Sequence, residues 1–406
     1  MTDHGRKLPV VAVVDAGITC ALGRTWPAVL SALKARKTGL AYEEIHGYPT
    51  AIGRVNSEIS HEWDGGLRLD RGVALALDCV SQLQLLTPMD PQRCGVFWGV
   101  GIAGADWLES SYKLYCSEAG DAKTSPWTVP MIMPNAAASL IAMKLGLTGG
   151  AWTQASACAS SAMAMGQAFH AIRSGALDMA VVGGSDAMLV PGMLHAWARM
   201  RVLARTKPEL SASACKPFDA ARNGLCLAEG AGCLVLMNAK LAQDLSLNPL
   251  AEIRGFGHSC DAYDLTVPSA EGQVQAMRKA LNDAQIGSSQ ISYVCAHATG
   301  TRKGDVTELE AIELALGLHA HRCPISSVKS ALGHTMGASG ALASVITVGM
   351  LQSDWIAPTL HLTESDPFCK DWNLPTFEGV SDTGMTVAMV NAFGFGGSNA
   401  SLIFKK

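Results

Sequence analysis

The hydrophobic and polar positions of this chain sort most clearly between residues 153 and 182. An alternating small and polar segment, Thr153-Gln-Ala-Ser-Ala157, gives way at Cys158 to an Ala/Met-rich run, residues 159–174, that predicts a buried helix. Gly175 follows as its C-terminal cap, and the apolar run 179–182 predicts a strand. Two later segments repeat the alternation. Residues 291–296, Ile-Ser-Tyr-Val-Cys-Ala, predict a strand that runs through His297-Ala-Thr-Gly-Thr-Arg-Lys-Gly into a helix carrying Asp305 and Glu308. The segment Cys323-Pro-Ile-Ser-Ser-Val-Lys329-Ser-Ala-Leu-Gly-His334 leads into an apolar helix at 341–351. Each places a histidine where a strand gives way to a polar or glycine-rich turn, and loops at strand ends are where catalytic side chains gather.

Cys158 is thereby set at a helix N-terminus, which makes it a candidate nucleophile. A free thiol has a pKa of about 8.5, and a helix N-terminus favours its anion by roughly 0.3–1 kcal/mol, up to about 2 when partly buried. The expected shift is downward by about one unit. On this reading the helix alone supplies useful thiolate, and no histidine has to serve as a dedicated base.

Composition narrows the class. With 406 residues, 49% hydrophobic and 16% charged, the chain can bury a large core, and length alone suggests two or three domains. The polar stretch Asp244-Leu-Ser-Leu-Asn-Pro249 is the nearest boundary signal, dividing the chain into 1–247 and 248–406, although no internal repeat is visible. A net charge of −4 argues against nucleic acid as a partner. The 12 cysteines show neither Cys-x-x-Cys pairs nor zinc spacing, so neither a disulfide frame nor a metal is expected. No signal-peptide pattern and no apolar run of ~18–20 residues is seen, so the expectation is a cytoplasmic protein without a membrane span. Gly99-Val-Gly-Ile-Ala-Gly104 is read as close backbone packing, because a dinucleotide loop would need an acid about 20 residues on that lacks support.

Cys158, His297 and His334 together, 139 and then 37 residues apart, resemble the elongating β-ketoacyl-acyl-carrier-protein synthases of the thiolase superfamily. Further stretches carry the resemblance across essentially the whole chain: Val11-Ala-Val-Val-Asp-Ala-Gly17, Lys216-Pro-Phe-Asp219 through Glu229-Gly-Ala-Gly232, and Asn391-Ala-Phe-Gly-Phe395-Gly-Gly-Ser-Asn399. The resemblance implies an α/β thiolase fold of two similar βαβαβαββ halves in five layers, α-β-α-β-α. It implies that Cys158 takes an acyl group as a thioester, that His297 and His334 act on a malonyl thioester, and that Lys329 tunes the histidine pair. Enolate and tetrahedral oxyanions need preorganised donors, each contributing roughly 3–4 kcal/mol; the implied donors are the two imidazoles and the backbone N–H groups of Cys158 and Phe395. No bound cofactor is implied, the substrates riding on the phosphopantetheine arm of an acyl carrier protein.

Other roles follow from the same resemblance. Thr299 and Thr301 fall at pantetheine-binding positions, Phe395 at the gate of the acyl pocket, with Ile102 and Met133 approaching that pocket, and Arg68, Arg71, Arg205 and Lys207 near carrier-protein docking positions. A dimer is implied, most simply a homodimer, alternatively a heterodimer with a chain-length subunit, the region 135–147 lying near its interface. The chain departs from the family pattern at Ala298, Gly300 and Arg302, and at Ala343, where a glutamate is usual. Glu308, with Asp305 nearby, is the expected replacement partner for Lys329. A non-catalytic chain-length subunit should lack the cysteine and histidines present here, and a thiolase should carry a second cysteine near 391–399 that this chain lacks. An ester-forming acyltransferase on the same scaffold stays open.

Overall fold

The computed structural model describes residues 9–56, 58–64, 66–84, 89–117, 124–376 and 378–406. Its framework is two successive runs of the same eight elements. The first comprises β1 (Val11–Cys20), α1 (Arg71–Val80), β2 (Cys94–Gly99), α2 (Ala136–Leu145), β3 (Ala151–Gln154), α3 (Ser160–Arg173), β4 (Met179–Asp186) and β5 (Gly230–Asn238). The second comprises β6 (Ala251–Cys260), α4 (Ala270–Ala284), β7 (Tyr293–Cys295), α5 (Arg302–Leu316), β8 (Ile325–Ser326), α6 (Ser339–Ser353), β9 (Val387–Gly394) and β10 (Ser398–Lys405).

The duplication absent from the residue pattern is explicit in the pairing. Within each set the first strand pairs antiparallel with the fifth, the fifth antiparallel with the fourth, the fourth parallel with the second and the second parallel with the third. The sets meet where β1 pairs with β6 over Val11–Ile253, Ala12–Glu252 and Val13–Ala251, giving one ten-stranded order β8-β7-β9-β10-β6-β1-β5-β4-β2-β3. Helices α1 and α2 cover one outer face, α4 and α5 the other, and α3 and α6 lie between the two halves of the sheet. These are the five layers expected.

The central position explains the composition of α3 and α6. A helix with sheet on both sides has no wet face, so α6 is apolar all round, and residues 339–351 are all buried. Together with the turn before it, Met336–Ser353 is long and apolar enough to cross a membrane by length and composition, but it is the core helix of this fold. The two central helices touch through small residues. A Cβ on Gly340 would lie 2.9 Å from Ala162 Cβ and 3.0 Å from Ala162 N, and Ser161 Oγ accepts the Ala341 N–H at 2.9 Å. The glycine segment after β2 packs in the same way, a Cβ on Gly99 falling 2.2 Å from Ser161 N.

Gly340→Ala should therefore lower stability by about 1–3 kcal/mol through overpacking. Gly287→Ala, whose added methyl would meet nothing nearer than Ser289 Oγ at 3.9 Å, should stay within about 0.5 kcal/mol of wild type. Urea unfolding midpoints of the two variants check the contrast.

Candidate active site

The reactive side chains sit at equivalent places in the two halves. Cys158 lies between β3 and α3; Lys329 and His334 lie between β8 and α6; His297 follows β7. The turn before Cys158 is forced: Ala157 has φ +48°, a left-handed conformation that disfavours bulky side chains. Ser160 closes it, its hydroxyl accepting the Ser156 N–H at 2.8 Å and facing the Ala157 carbonyl at 2.6 Å. Gly394 packs against the nucleophile's backbone, where a Cβ would lie 2.8 Å from Ser156 O and 3.1 Å from Cys158 N.

Cys158 Sγ and His334 Nε2 are 3.1 Å apart, and the donor atoms of Cys158, His297 and His334 all lie within 4.8 Å of one another. The two imidazoles meet edge to face at 5.3 Å and 81°. Each has a buried Nδ1 with no hydrogen-bond partner. Burial first, and the Lys329 ammonium second, hold both rings well below the usual imidazole range, so both are neutral. That cation disfavours a second proton on either ring, which makes His334 a poor base.

The helix-end argument for the thiol fails on magnitude. Burial pushes Cys158 up to about 12, against which Lys329 and the backbone N–H groups of Phe395 and Cys158 itself pull it down. Desolvation of a fully buried thiolate exceeds what one helix terminus returns. The resting nucleophile is a neutral thiol.

Lys329 is itself buried, and burial lowers its pKa, with Cys295 and then Glu308 acting in the opposite sense. Among the described residues no carboxylate lies within ion-pair distance of it. Glu308 is therefore not the direct partner expected. Its Oε1 accepts the His297 N–H at 2.8 Å, its Oε2 accepts the Ala298 N–H at 2.7 Å, and Asn391 Nδ2 donates to it at 3.2 Å. Burial raises its pKa to about 7. Its carboxylate fixes the backbone beneath His297. Asp305 accepts the N–H groups of Thr299, Gly300 and Phe218 and lies 3.3 Å from buried Arg222.

A cavity of about 430 Å³ opens onto Cys158, His297 and His334, walled by Trp197, Leu225, Met336, Phe393 and Phe395 and, towards its mouth, by Thr299, Thr301 and Lys303. Phe395 stacks on Trp197 at 6.1 Å, and Thr299 Oγ1 and Thr301 Oγ1 are 3.2 Å apart. Ile102 and Met133 are not on this wall: they line a separate small cavity with Asp70 and Asp186, and both are exposed in the single chain. Arg205 and Lys207 are exposed on the segment that follows the wall residues Met200 and Val202, Arg205 lying over Tyr48 at 4.5 Å. Arg68 is exposed, pairs with Asp106 at 2.7 Å and lies 5.3 Å from the Trp107 ring. Arg71 is not available for docking, because its guanidinium binds Glu229 through two nitrogens and spends the rest on Val55 O and His61.

Asp186 and Lys303 are among the residues that the sequence does not point to. Asp186 accepts N–H groups from Gly101 at 2.9 Å, Ile102 at 3.3 Å and Gly337 at 2.7 Å, clamping the loop after β2 to the turn beyond His334. An acid ending an apolar strand was its signal. Lys303 adds a cation at the cavity mouth, two residues past Thr301.

Residues 23–242 match the N-terminal domain of β-ketoacyl synthases, and residues 250–363 match the C-terminal domain. The chain is 34% identical to nodulation protein E of Rhizobium sp. (strain N33), over 98% of this chain and 99% of that protein. It is 34% identical to 3-oxoacyl-[acyl-carrier-protein] synthase 2 of Staphylococcus aureus (strain COL), over 84% and 82%. A solved β-ketoacyl synthase from Burkholderia phymatum STM815 superposes with a TM-score of 0.88 at 30% identity, covering 98% of this chain and all (100%) of that one. A chain from a type II polyketide acyl-carrier protein in complex with its ketosynthase bound to the hexaketide superposes with a TM-score of 0.89 at 26% identity, over 98% and 100%.

With its pKa near 12, Cys158 should be alkylated by a small neutral reagent at a rate that rises with about unit log slope from roughly pH 6 to 9 and does not level. Levelling near pH 7.5 would restore the helix end as a sufficient activator. Glu308→Gln turns one acceptor oxygen into an NH2 group facing a backbone N–H, and should cost about 1–3 kcal/mol in denaturant unfolding.

Proposed function

Because the chain belongs to the β-ketoacyl synthase family and assembles a Cys-His-His triad, it is a condensing enzyme, and we propose that it elongates acyl chains by decarboxylative Claisen condensation of an acyl thioester on Cys158 with malonyl-acyl carrier protein. The observation that carries this reading is the convergence of one thiol and two neutral imidazoles at the inner end of a single cavity.

The arrangement supports a role for particular groups in each step. In acylation the Cys158 sulfur attacks the incoming thioester carbonyl, and the departing arm sulfur ends with the proton the thiol loses. Lys329, the Cys158 and Phe395 N–H groups and His334 Nε2–H favour the sulfur anion and the oxyanion that succeed one another there. In the second half-reaction the malonyl unit loses carbon dioxide, and its electron pair passes to the thioester oxygen as an enolate. Two neutral Nε2–H donors receive that charge in a site with little water. The enolate carbon then attacks the acyl carbonyl on Cys158, and the cysteine sulfur leaves, taking up a proton from solvent to restore the thiol.

Thr299 and Thr301 are suited to hydrogen-bond the amide-bearing arm, and Phe395 to act as a gate, since Gly394, Gly396 and Gly397 flank it and the last two have positive φ. Arg68, Arg205, Lys207 and Lys303 would steer an acidic carrier protein towards the mouth. A dimer is supported by apolar side chains left exposed in one region, Trp127, Val129, Met133 and Met143, with Trp152 on the edge strand β3. Ile102 and Met133 would reach the acyl pocket only in such an assembly. The 12 free cysteines fit a reducing cytoplasm.

Cys158→Ala should abolish acyl transfer from acyl carrier protein, read as loss of the mass adduct on the folded protein. His297→Ala should still acylate while carbon dioxide release from malonyl carrier protein falls roughly 10²–10³-fold. His334→Ala should slow both half-reactions, because its Nε2 serves the sulfur as well as the enolate. Acylation of another cysteine, or decarboxylation that survives both histidine changes, overturns the assignment.

A further inference from the structure

Gln273, in the first turn of α4, lines the catalytic cavity with a carboxamide that no described residue engages: the residue is 2% exposed, its buried Oε1 has no hydrogen-bond partner, and no other hydrogen bond of its carboxamide is present. Other polar side chains of the same wall are committed elsewhere. Glu308 holds the His297 and Ala298 N–H groups, and Asn399 Nδ2 donates to Asp261 Oδ1 at 2.6 Å and to Gly397 O at 3.1 Å. A buried amide kept without a protein partner is a standing cost, and sites that retain one commonly supply the partner with a ligand.

The geometry points to that ligand. The cavity runs inward between the starts of two helices: Thr299, Thr301 and Lys303 stand at the start of α5, while Pro268 and Gln273 stand at the start of α4. Whatever delivers a thioester to Cys158 has to lie between them. We propose that the Gln273 carboxamide hydrogen-bonds a secondary amide of the pantetheine arm, so that the arm is gripped from α4 as well as from the two threonines opposite. The complementarity is chemical. A secondary amide carries one N–H donor and one carbonyl acceptor, and a primary carboxamide presents the matching acceptor and donor, so the two can pair through both. A hydrocarbon acyl chain offers neither, and a malonyl carboxylate offers acceptors only, leaving Oε1 unsatisfied. Gln273 is thus a binding residue for the arm, whatever acyl group the arm carries. The inference rests on the condensing-enzyme reading above.

The test compares wild type with Gln273→Leu, close in size but apolar, on acyl and malonyl thioesters of pantetheine (two amides), N-acetylcysteamine (the inner amide only) and ethanethiol (none). The expected result is a KM about tenfold higher for Gln273→Leu with pantetheine thioesters, equal for acyl and malonyl forms, with kcat little changed and no difference on ethanethiol thioesters. Whether the loss persists on N-acetylcysteamine thioesters identifies which amide is held. Thermal stability should be unchanged or raised, since an unpaired buried amide is removed; Gln273→Met serves if the leucine variant does not fold. A loss confined to malonyl substrates would assign Gln273 to the carboxylate, an equal loss on ethanethiol thioesters would make its role structural, and unchanged kinetics throughout would remove it from binding. Each of these overturns the proposal while leaving the condensing reading intact. Failure of wild type to acylate Cys158 with any thioester would overturn that reading first.

Discussion

The contact between α3 and α6 governs the rest of the molecule. Two half-sheets can share a central layer only if the helices in it are apolar on every side and narrow enough to lie against each other. Ala162, Gly340 and the hydrogen bond from Ala341 N–H to Ser161 Oγ meet that demand within the first turn of each helix. Because both helices begin at this crossing, whatever precedes them is brought together. Cys158 stands just before α3 and His334 just before α6, so a packing requirement in the core fixes the 3.1 Å separation of sulfur and nitrogen. The loop of His297 is tied into the same arrangement from beneath by Glu308.

Buried charge sets the chemistry of that meeting point. Lys329, Glu308, Asp186 and Asp305 are buried around it, and the cation is treated differently from the acids. The three carboxyls are held by backbone N–H groups, the usual way to keep an acid inside a protein, yet burial still raises Asp186 and Glu308 to about 7. Lys329 has no carboxylate at ion-pair distance among the described residues. Its influence is therefore exerted as a field on Cys158, His297 and His334 and not consumed in one ion pair.

Much of this was legible in the residues. The helix after Cys158, the strands before His297 and Lys329 and the apolar helix after His334 are all continuous patterns, and local pattern is what a sequence displays. The duplicated pairing order was not, because the two halves share topology and no visible repeat: strand order depends on contacts between residues from tens to more than two hundred positions apart. Arg71 reads as a surface cation at a helix start until Glu229, 158 residues away, is seen to claim it. The thiol was misjudged for a related reason. A helix terminus can be read from a sequence, but the extent of desolvation around it cannot, and here desolvation is the larger effect. Gln273 was passed over because a glutamine in an amphipathic helix looks like a solvent-facing residue until its surroundings are known.

A nucleophile that rests as a neutral thiol is consistent with the way this cavity is built. At a site this buried, a standing thiolate, imidazolium or both would be expensive, and the structure keeps Cys158, His297 and His334 uncharged with Lys329 as the nearby cation. Under the proposed condensation, the donors would be aimed where charge appears only during reaction: the backbone N–H groups of Cys158 and Phe395 at the sulfur and the acyl carbonyl, and the two imidazoles at the malonyl oxygen. Donors fixed by strand ends and helix starts do not reorganise when the charge arrives, whereas water would have to. The burial that raises the thiol's pKa is thus the same burial that strengthens each of those hydrogen bonds in the transition state, and the neutral resting site follows from it.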